Sequence, residues 1–137
     1  MYDPGIVHRD LKPANILLKG AIPKIADFGF ATTPQTVTTM PNVNVGSPLY
    51  MSPQAFKNRY SEKSDIWALG VSLYEMLFGQ VPWQAGSERE LAQRMVSVPV
   101  QFPGYVSDEC RDFILRCLVV DESRRATVDD LERHPWM

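Results

Sequence analysis

The rhythm of apolar and polar positions along the chain changes twice. Ile16-Leu17-Leu18, a Lys19-Gly20 break and Ile22-Pro23-Lys24-Ile25-Ala26 predict a short β-hairpin. Thr32 to Val45, rich in Thr, Pro, Asn and Val, holds no steady period and predicts an exposed loop long enough to be functional. Beyond Pro53 the period becomes helical. Ser61 is expected to cap a helix that runs to about Phe78 and stops at Gly79. That helix is apolar on nearly every face (Ile66, Trp67, Leu69, Val71, Leu73, Met76, Leu77), the mark of a buried element. Ser87-Glu88-Arg89-Glu90 predicts a capping box opening a second helix that ends before Pro99. A third helix is expected from about Ser107 to Val119, with Phe113, Ile114 and Leu118 inward. Thr127-Val128-Asp129-Asp130 opens a last short one that Pro135 ends. The expected fold class is therefore mainly α, a helical bundle around one buried helix with a small β-hairpin at the start.

Bulk properties narrow the class. The 137 residues suffice for one domain with its own core, and no repeat or linker divides them. Hydrophobic residues at 45% and charged residues at 22% are ordinary for a globular chain. A net charge of -2 argues against nucleic acid as a partner and against a polybasic membrane patch. The apolar stretch from Ile66 to Tyr74 is too short for membrane insertion, and Met1 to Gly5 lack the features of a secretory signal. Cys110 and Cys117 lie on one predicted helix, roughly 10 Å apart along its axis, too far for a disulfide. They read as reduced core residues, with Met76 and Met95 as further core filler, and place the protein in the cytoplasm.

The chemistry lies near the beginning. His8-Arg9-Asp10-Leu11-Lys12-Pro13-Ala14-Asn15 precedes the hairpin and Asp27-Phe28-Gly29 follows it. These strings resemble the catalytic loop (8–15) and the metal-binding loop of a protein kinase. Asp10-Leu11-Lys12-Pro13-Ala14-Asn15 resembles the serine/threonine form rather than the tyrosine form. Gly46-Ser47-Pro48-Leu49-Tyr50-Met51-Ser52-Pro53 is similar to the segment that positions the substrate peptide, closing an activation segment over 27–54. Asp65-Ile66-Trp67-Ala68-Leu69-Gly70 is similar to the family's central-helix signature, Arg125 to its late structural arginine, and His134-Pro135-Trp136 to its usual end. The resemblance covers essentially the whole chain as a C-terminal lobe. The Asp27 and Ser47 segments add a weak similarity to the Unc-51-like, autophagy-initiating branch.

The resemblance implies roles. The cofactors are ATP and Mg²⁺, and the acceptor is a protein Ser or Thr hydroxyl. Asp10 accepts the hydroxyl proton, and Lys12 sets its ammonium beside the transferred phosphate. Asn15 and Asp27 offer hard oxygens to Mg²⁺, and the intervening hairpin would bring them together. Ser47 bonds the catalytic Asp and Lys, and Leu17 lies beneath the adenine ring. His8 and Phe28 are expected as stacked packing residues, and Asp65 as a hydrogen-bond acceptor for the catalytic loop backbone. Arg9 is a candidate partner for a regulatory phosphate on Thr38 or Thr39.

Two departures from the family pattern stand out. Gln54 occupies the position of a glutamate that pairs with the late arginine, so Arg125 is expected to receive an amide oxygen and no charge. Only seven residues precede His8, too few for a Gly-rich loop, an ATP-anchoring lysine or its partner glutamate. The expectation is a kinase whose β-rich N-terminal lobe is supplied elsewhere and whose isolated chain is inactive. The alternative is a free-standing, non-catalytic docking or pseudokinase-type module. The intact set Asp10, Lys12, Asn15 and Asp27 favours the enzyme, because a surface alone has no physical use for all four.

Overall fold

A computed structural model describes residues 7–25 and 47–137. The predicted loop from Thr32 to Val45, Asp27-Phe28-Gly29, Thr38 and Thr39 lie outside the described residues.

A 3-10 turn at Pro13–Asn15 leads into β1 (Ile16–Lys19), which pairs antiparallel with β2 (Ile22–Ile25) in the register Ile16 to Ile25 and Lys19 to Ile22. The hairpin carries apolar side chains yet buries few of them. Leu17 (55%) and Ile22 (60%) are exposed on one face of the hairpin and Leu18 (73%) on the other.

Four helices follow: α1 (Glu62–Phe78), α2 (Glu88–Ser97), α3 (Asp108–Cys117) and α4 (Val128–Glu132). Local chemistry sets their ends. The Ser61 hydroxyl accepts from the Lys63 amide while Ser64 reaches back to the Ser61 amide. Gly79 ends α1 at φ 80°, a left-handed conformation that a side chain disfavours. Thr127 and Asp130 cap α4 reciprocally, as their spacing predicts. The second predicted box closes only by half. Ser87 accepts from the Glu90 amide, but the Glu90 carboxylate bonds the Gly86 amide and pairs with Arg94 instead of returning to Ser87.

The core gathers on α1, whose Trp67 and Val71 are fully buried, against Phe113, Ile114 and Cys117 of α3. Gly70 permits this approach, since a Cβ there would stand 2.6 Å from Cys117 Cβ. The Trp67 and Trp83 rings stack at 5.5 Å, while Leu91 and Met95 anchor α2 from below. The all-round burial predicted for α1 fails in its last turn, where among the described residues Met76 stays 51% and Leu77 45% exposed. Met76 is thus a surface residue, whereas Cys110, Cys117 and Met95 are buried as expected, with both cysteines free. Burial pushes the Cys117 thiol up to about 12, which keeps it protonated and unreactive. Among the described residues no helix is long and apolar enough to cross a membrane.

Candidate active site

The first turn of α1 builds the site from below. Asp65 is buried there, and its carboxylate accepts the His8 amide at 2.7 Å and the Arg9 amide at 3.0 Å. Arg9 adopts φ 70°, a conformation that costs a non-glycine residue roughly 1–2 kcal/mol. Two charge-assisted hydrogen bonds from one carboxylate offset that cost and lock the loop. Burial pushes the Asp65 carboxyl up from its ordinary range, with the two amides pulling the other way. The loop also braces itself. His8, buried, accepts the Asp10 amide at Nδ1 (3.1 Å), so the proton of its neutral ring lies on Nε2. The Arg9 guanidinium lies 5.4 Å from the Tyr60 ring centroid, a contact without a local sequence signal.

The strained backbone delivers Asp10 to the site. Its Oδ1 accepts from the Ser47 hydroxyl at 3.2 Å and lies 3.8 Å from Lys12 Nζ, which itself donates to Ser47 Oγ at 2.8 Å. Three side chains drawn from positions 10, 12 and 47 thus close a triangle. Pro13 starts the turn that folds Asn15 back, and Asn15 Nδ2 donates to the Asp10 carbonyl at 2.7 Å and more weakly to Asp10 Oδ2 at 3.4 Å. With Nδ2 so engaged, Asn15 presents its amide oxygen as a neutral, hard donor. That oxygen suits Mg²⁺, which binds through few protein oxygens and keeps several waters. Among the described residues no three His, Cys, Asp or Glu side chains cluster as a closed metal site. Leu17 stands exposed on β1, next but one after Asn15.

The segment after Ser47 is secured to the helical body. Pro48–Tyr50 form a 3-10 turn, and the Tyr50 hydroxyl donates to Glu75 Oε1. Desolvation, with the neighbouring carboxylate adding to it, pushes the Tyr50 phenol well above its ordinary range. Ser52 is fully buried, and Gln54 reaches Arg125 as expected, Oε1 accepting from Nη2 at 2.7 Å. A second bond went unforeseen: Gln54 Nε2 donates to the Val120 carbonyl at 2.7 Å. Spacing along the chain carries no trace of this contact, or of Tyr50 with Glu75, because both partners are distant in sequence.

Comparison with known proteins agrees with this geometry. A sequence model described as "Protein kinase domain" matches residues 1–137. The chain is 36% identical to "Serine/threonine-protein kinase atg1" of Dictyostelium discoideum over 96% of its length and 20% of that protein. It is 41% identical to "Serine/threonine-protein kinase kin-29" of Caenorhabditis elegans over its full length and 17% of that protein. It is 40% identical to "Serine/threonine-protein kinase ULK3" of Homo sapiens, over its full length and 30% of that protein. The chain therefore spans less than a third of each of these relatives. By the match over all its residues, and by its likeness to serine/threonine kinases throughout, this chain belongs to the protein kinase family.

Proposed function

We propose that this chain is the phosphate-transferring and substrate-positioning portion of a protein serine/threonine kinase, with catalytic loop 8–15 and activation segment 27–54. The observation that carries the reading is the Asp10–Lys12–Ser47 triangle, closed by bonds of 2.8 and 3.2 Å. ATP with Mg²⁺, when bound, supplies the transferable γ-phosphoryl group and part of the charge compensation it needs. Asp10 would accept the proton of the incoming Ser or Thr hydroxyl as the hydroxyl oxygen takes the γ-phosphoryl group and ADP leaves. Lys12 holds positive charge beside that carboxylate, placed to balance charge on the transferring group. Ser47 joins the two side chains and so sets their separation. Asn15 would hold Mg²⁺ through its amide oxygen, in company with Asp27, and Leu17 would meet the base of the nucleotide. Arg9 would order the activation segment through a phosphate on Thr38 or Thr39. The two buried, free cysteines support a cytoplasmic setting.

A Gly-rich phosphate loop, an ATP-anchoring lysine and its partner glutamate would complete the nucleotide site. The direct test replaces the matching stretch of the human relative's kinase domain with this chain. The chimera should transfer labelled phosphate from ATP to a general basic protein substrate, and Asp10→Asn should slow transfer by about a hundredfold or more. A chimera that folds, retains the surrounding nucleotide-binding parts and transfers nothing overturns the proposal in favour of a non-catalytic docking module.

A further inference from the structure

Beside the Gln54–Arg125 contact a groove of about 670 Å³ runs between the segment after Pro53 and the outer face of α2. It shares no residue with the Asp10–Lys12–Ser47 triangle. Its volume falls within the range of concave ligand sites. We propose that this groove docks an acidic segment of the protein substrate that also bears Leu, Ile or Val, apart from the phosphorylated hydroxyl.

The sequence of α2 supplies the first argument. Leu91 and Met95 are buried and face the core, which by itself satisfies the helix's need for an apolar stripe. A second stripe at Arg89, Ala92, Gln93 and Val96 follows helical spacing and lines the groove. Val96 is 60% exposed there, although a surface helix position is better served by a polar residue. Phe56 and Val120, both half-buried, continue the apolar floor across the groove.

Charge supplies the second argument. Lys57, Arg59 and Arg89 line the groove and are exposed, against one carboxylate, Glu88. Elsewhere on the surface Arg94 pairs with Glu90 and Arg116 with Asp112. Among the described residues none of the three groove cations has an acidic partner, although the whole chain is net negative at -2. Arg89 also stands in the first turn of α2, where the helix dipole disfavours a cation. Uncompensated cations around an apolar floor complement a segment that carries carboxylates beside aliphatic side chains.

That the occupant belongs to a substrate rests on the kinase reading; the binding itself does not, so it is measured without ATP. The probe is a fluorescent peptide with glutamates flanking a Leu-Leu pair, titrated by anisotropy. It should bind the chain, and Lys57→Glu with Arg59→Glu and Arg89→Glu should weaken binding at least tenfold, as should Val96→Asp. In the wild-type chain the peptide should shift the methyl signals of Val96 and Val120, a readout independent of any variant's folding. Failure of the peptide to bind overturns the proposal. So does equal binding by the charge-reversed variant, or by a peptide with Ser in place of Leu, which would show a general anion patch. The phosphate-transfer assay on the chimera stands apart from every one of these outcomes.

Discussion

Gln54 and Arg125 meet at 2.7 Å in the interior, a neutral amide standing against a guanidinium that is 2% exposed. The arginine is otherwise held by carbonyl oxygens, of Val119 at 2.9 Å and Lys63 at 2.7 Å, and lies 5.1 Å from the Trp67 ring centroid. Burial pushes the guanidinium down to about 10, with Glu122 opposing that shift from nearby. The charge is thus well hydrogen-bonded, but among the described residues it has no contacting counter-charge.

This makes Gln54 a measurable hinge between the activation segment and the helical body. Gln54→Ala takes a 2.7 Å bond from both Arg125 Nη2 and the Val120 carbonyl and leaves them only their own weak contact at 3.4 Å, so it should lower stability by about 1–3 kcal/mol. Gln54→Glu supplies the missing charge but sets an oxygen against the Val120 carbonyl, so the net gain should be only about 1 kcal/mol at neutral pH. A glutamate paired in this way has a depressed native pKa. Its gain is therefore full above the ordinary glutamate range and lost as pH falls through the native value. Thermal melts of both variants from acid to neutral pH check this, and no gain for Gln54→Glu at any pH would count against the pairing.

Removing members of the triangle should separate chemistry from stability. In the chimera, Asp10→Asn should cost roughly 10²–10⁴-fold in kcat, the range for loss of a positioned proton acceptor. Ser47→Ala should cost less and Ser47→Thr should retain most activity, since the hydroxyl bridge survives. Steady-state kinetics beside melting curves decide the matter. A loss of activity that merely tracks a loss of folding would sink the assignment.

The C-terminal end carries an acid-sensitive clasp. His134 Nδ1 accepts the Trp136 amide at 3.1 Å, and Nε2 donates to Asp112 Oδ2 at 2.6 Å, which Arg116 also engages at 2.7 Å. Arg116 first, and His134 second, hold the Asp112 carboxyl below its ordinary range. Its contribution to stability is full above the unfolded aspartate value of about 3.9 and fades as pH falls through the lowered native one. Asp112→Asn should therefore flatten the acid limb of the stability profile while leaving a deficit at neutral pH. Denaturant titrations across that range provide the measurement.

The isolated chain should gain no thermal stability from millimolar Mg²⁺-ATP. Leu17, the residue proposed to meet the base, remains 55% exposed among the described residues, so the hairpin offers the nucleotide a single wall. A clear upward shift in Tm would show that these residues bind the nucleotide unaided.

Replacing both Thr38 and Thr39 with Ala should lower the activity of the chimera, because Arg9 would lose the phosphate it is proposed to order. Unchanged activity after treatment with an activating kinase would remove both threonines from consideration.

Much of the architecture was legible because it is written in short-range pattern. Ser61, Gly79, Ser87, Ser107 and Thr127 mark helix ends through bonds made within a few residues, and those ends fall where the spacing predicts. The exceptions arise where several neighbours compete for one group. Glu90 has Gly86, Ser87 and Arg94 within reach, and only the folded geometry selects among them. Met76 reads as core because its neighbours on α1 are core, yet burial needs a second surface to pack against and the described residues leave Met76 half exposed.

The candidate site divides along the same line. The linear order of His8 to Asn15, Asp27, Ser47 and Asp65 was enough to indicate the chemistry, because phosphoryl transfer calls for a proton acceptor, a cation and hard oxygen ligands of defined type. The family resemblance already implied the Ser47 bonds to Asp10 and Lys12 and the Asp65 bonds to the loop backbone; tertiary structure alone supplied their distances, showed that Asp65 offsets a left-handed Arg9, and showed that Gln54 serves Val120 as well as Arg125. Residue types are a local property of the chain. Distances of 2.7 to 3.2 Å between positions tens of residues apart depend on how the helices pack around α1, which no local pattern encodes.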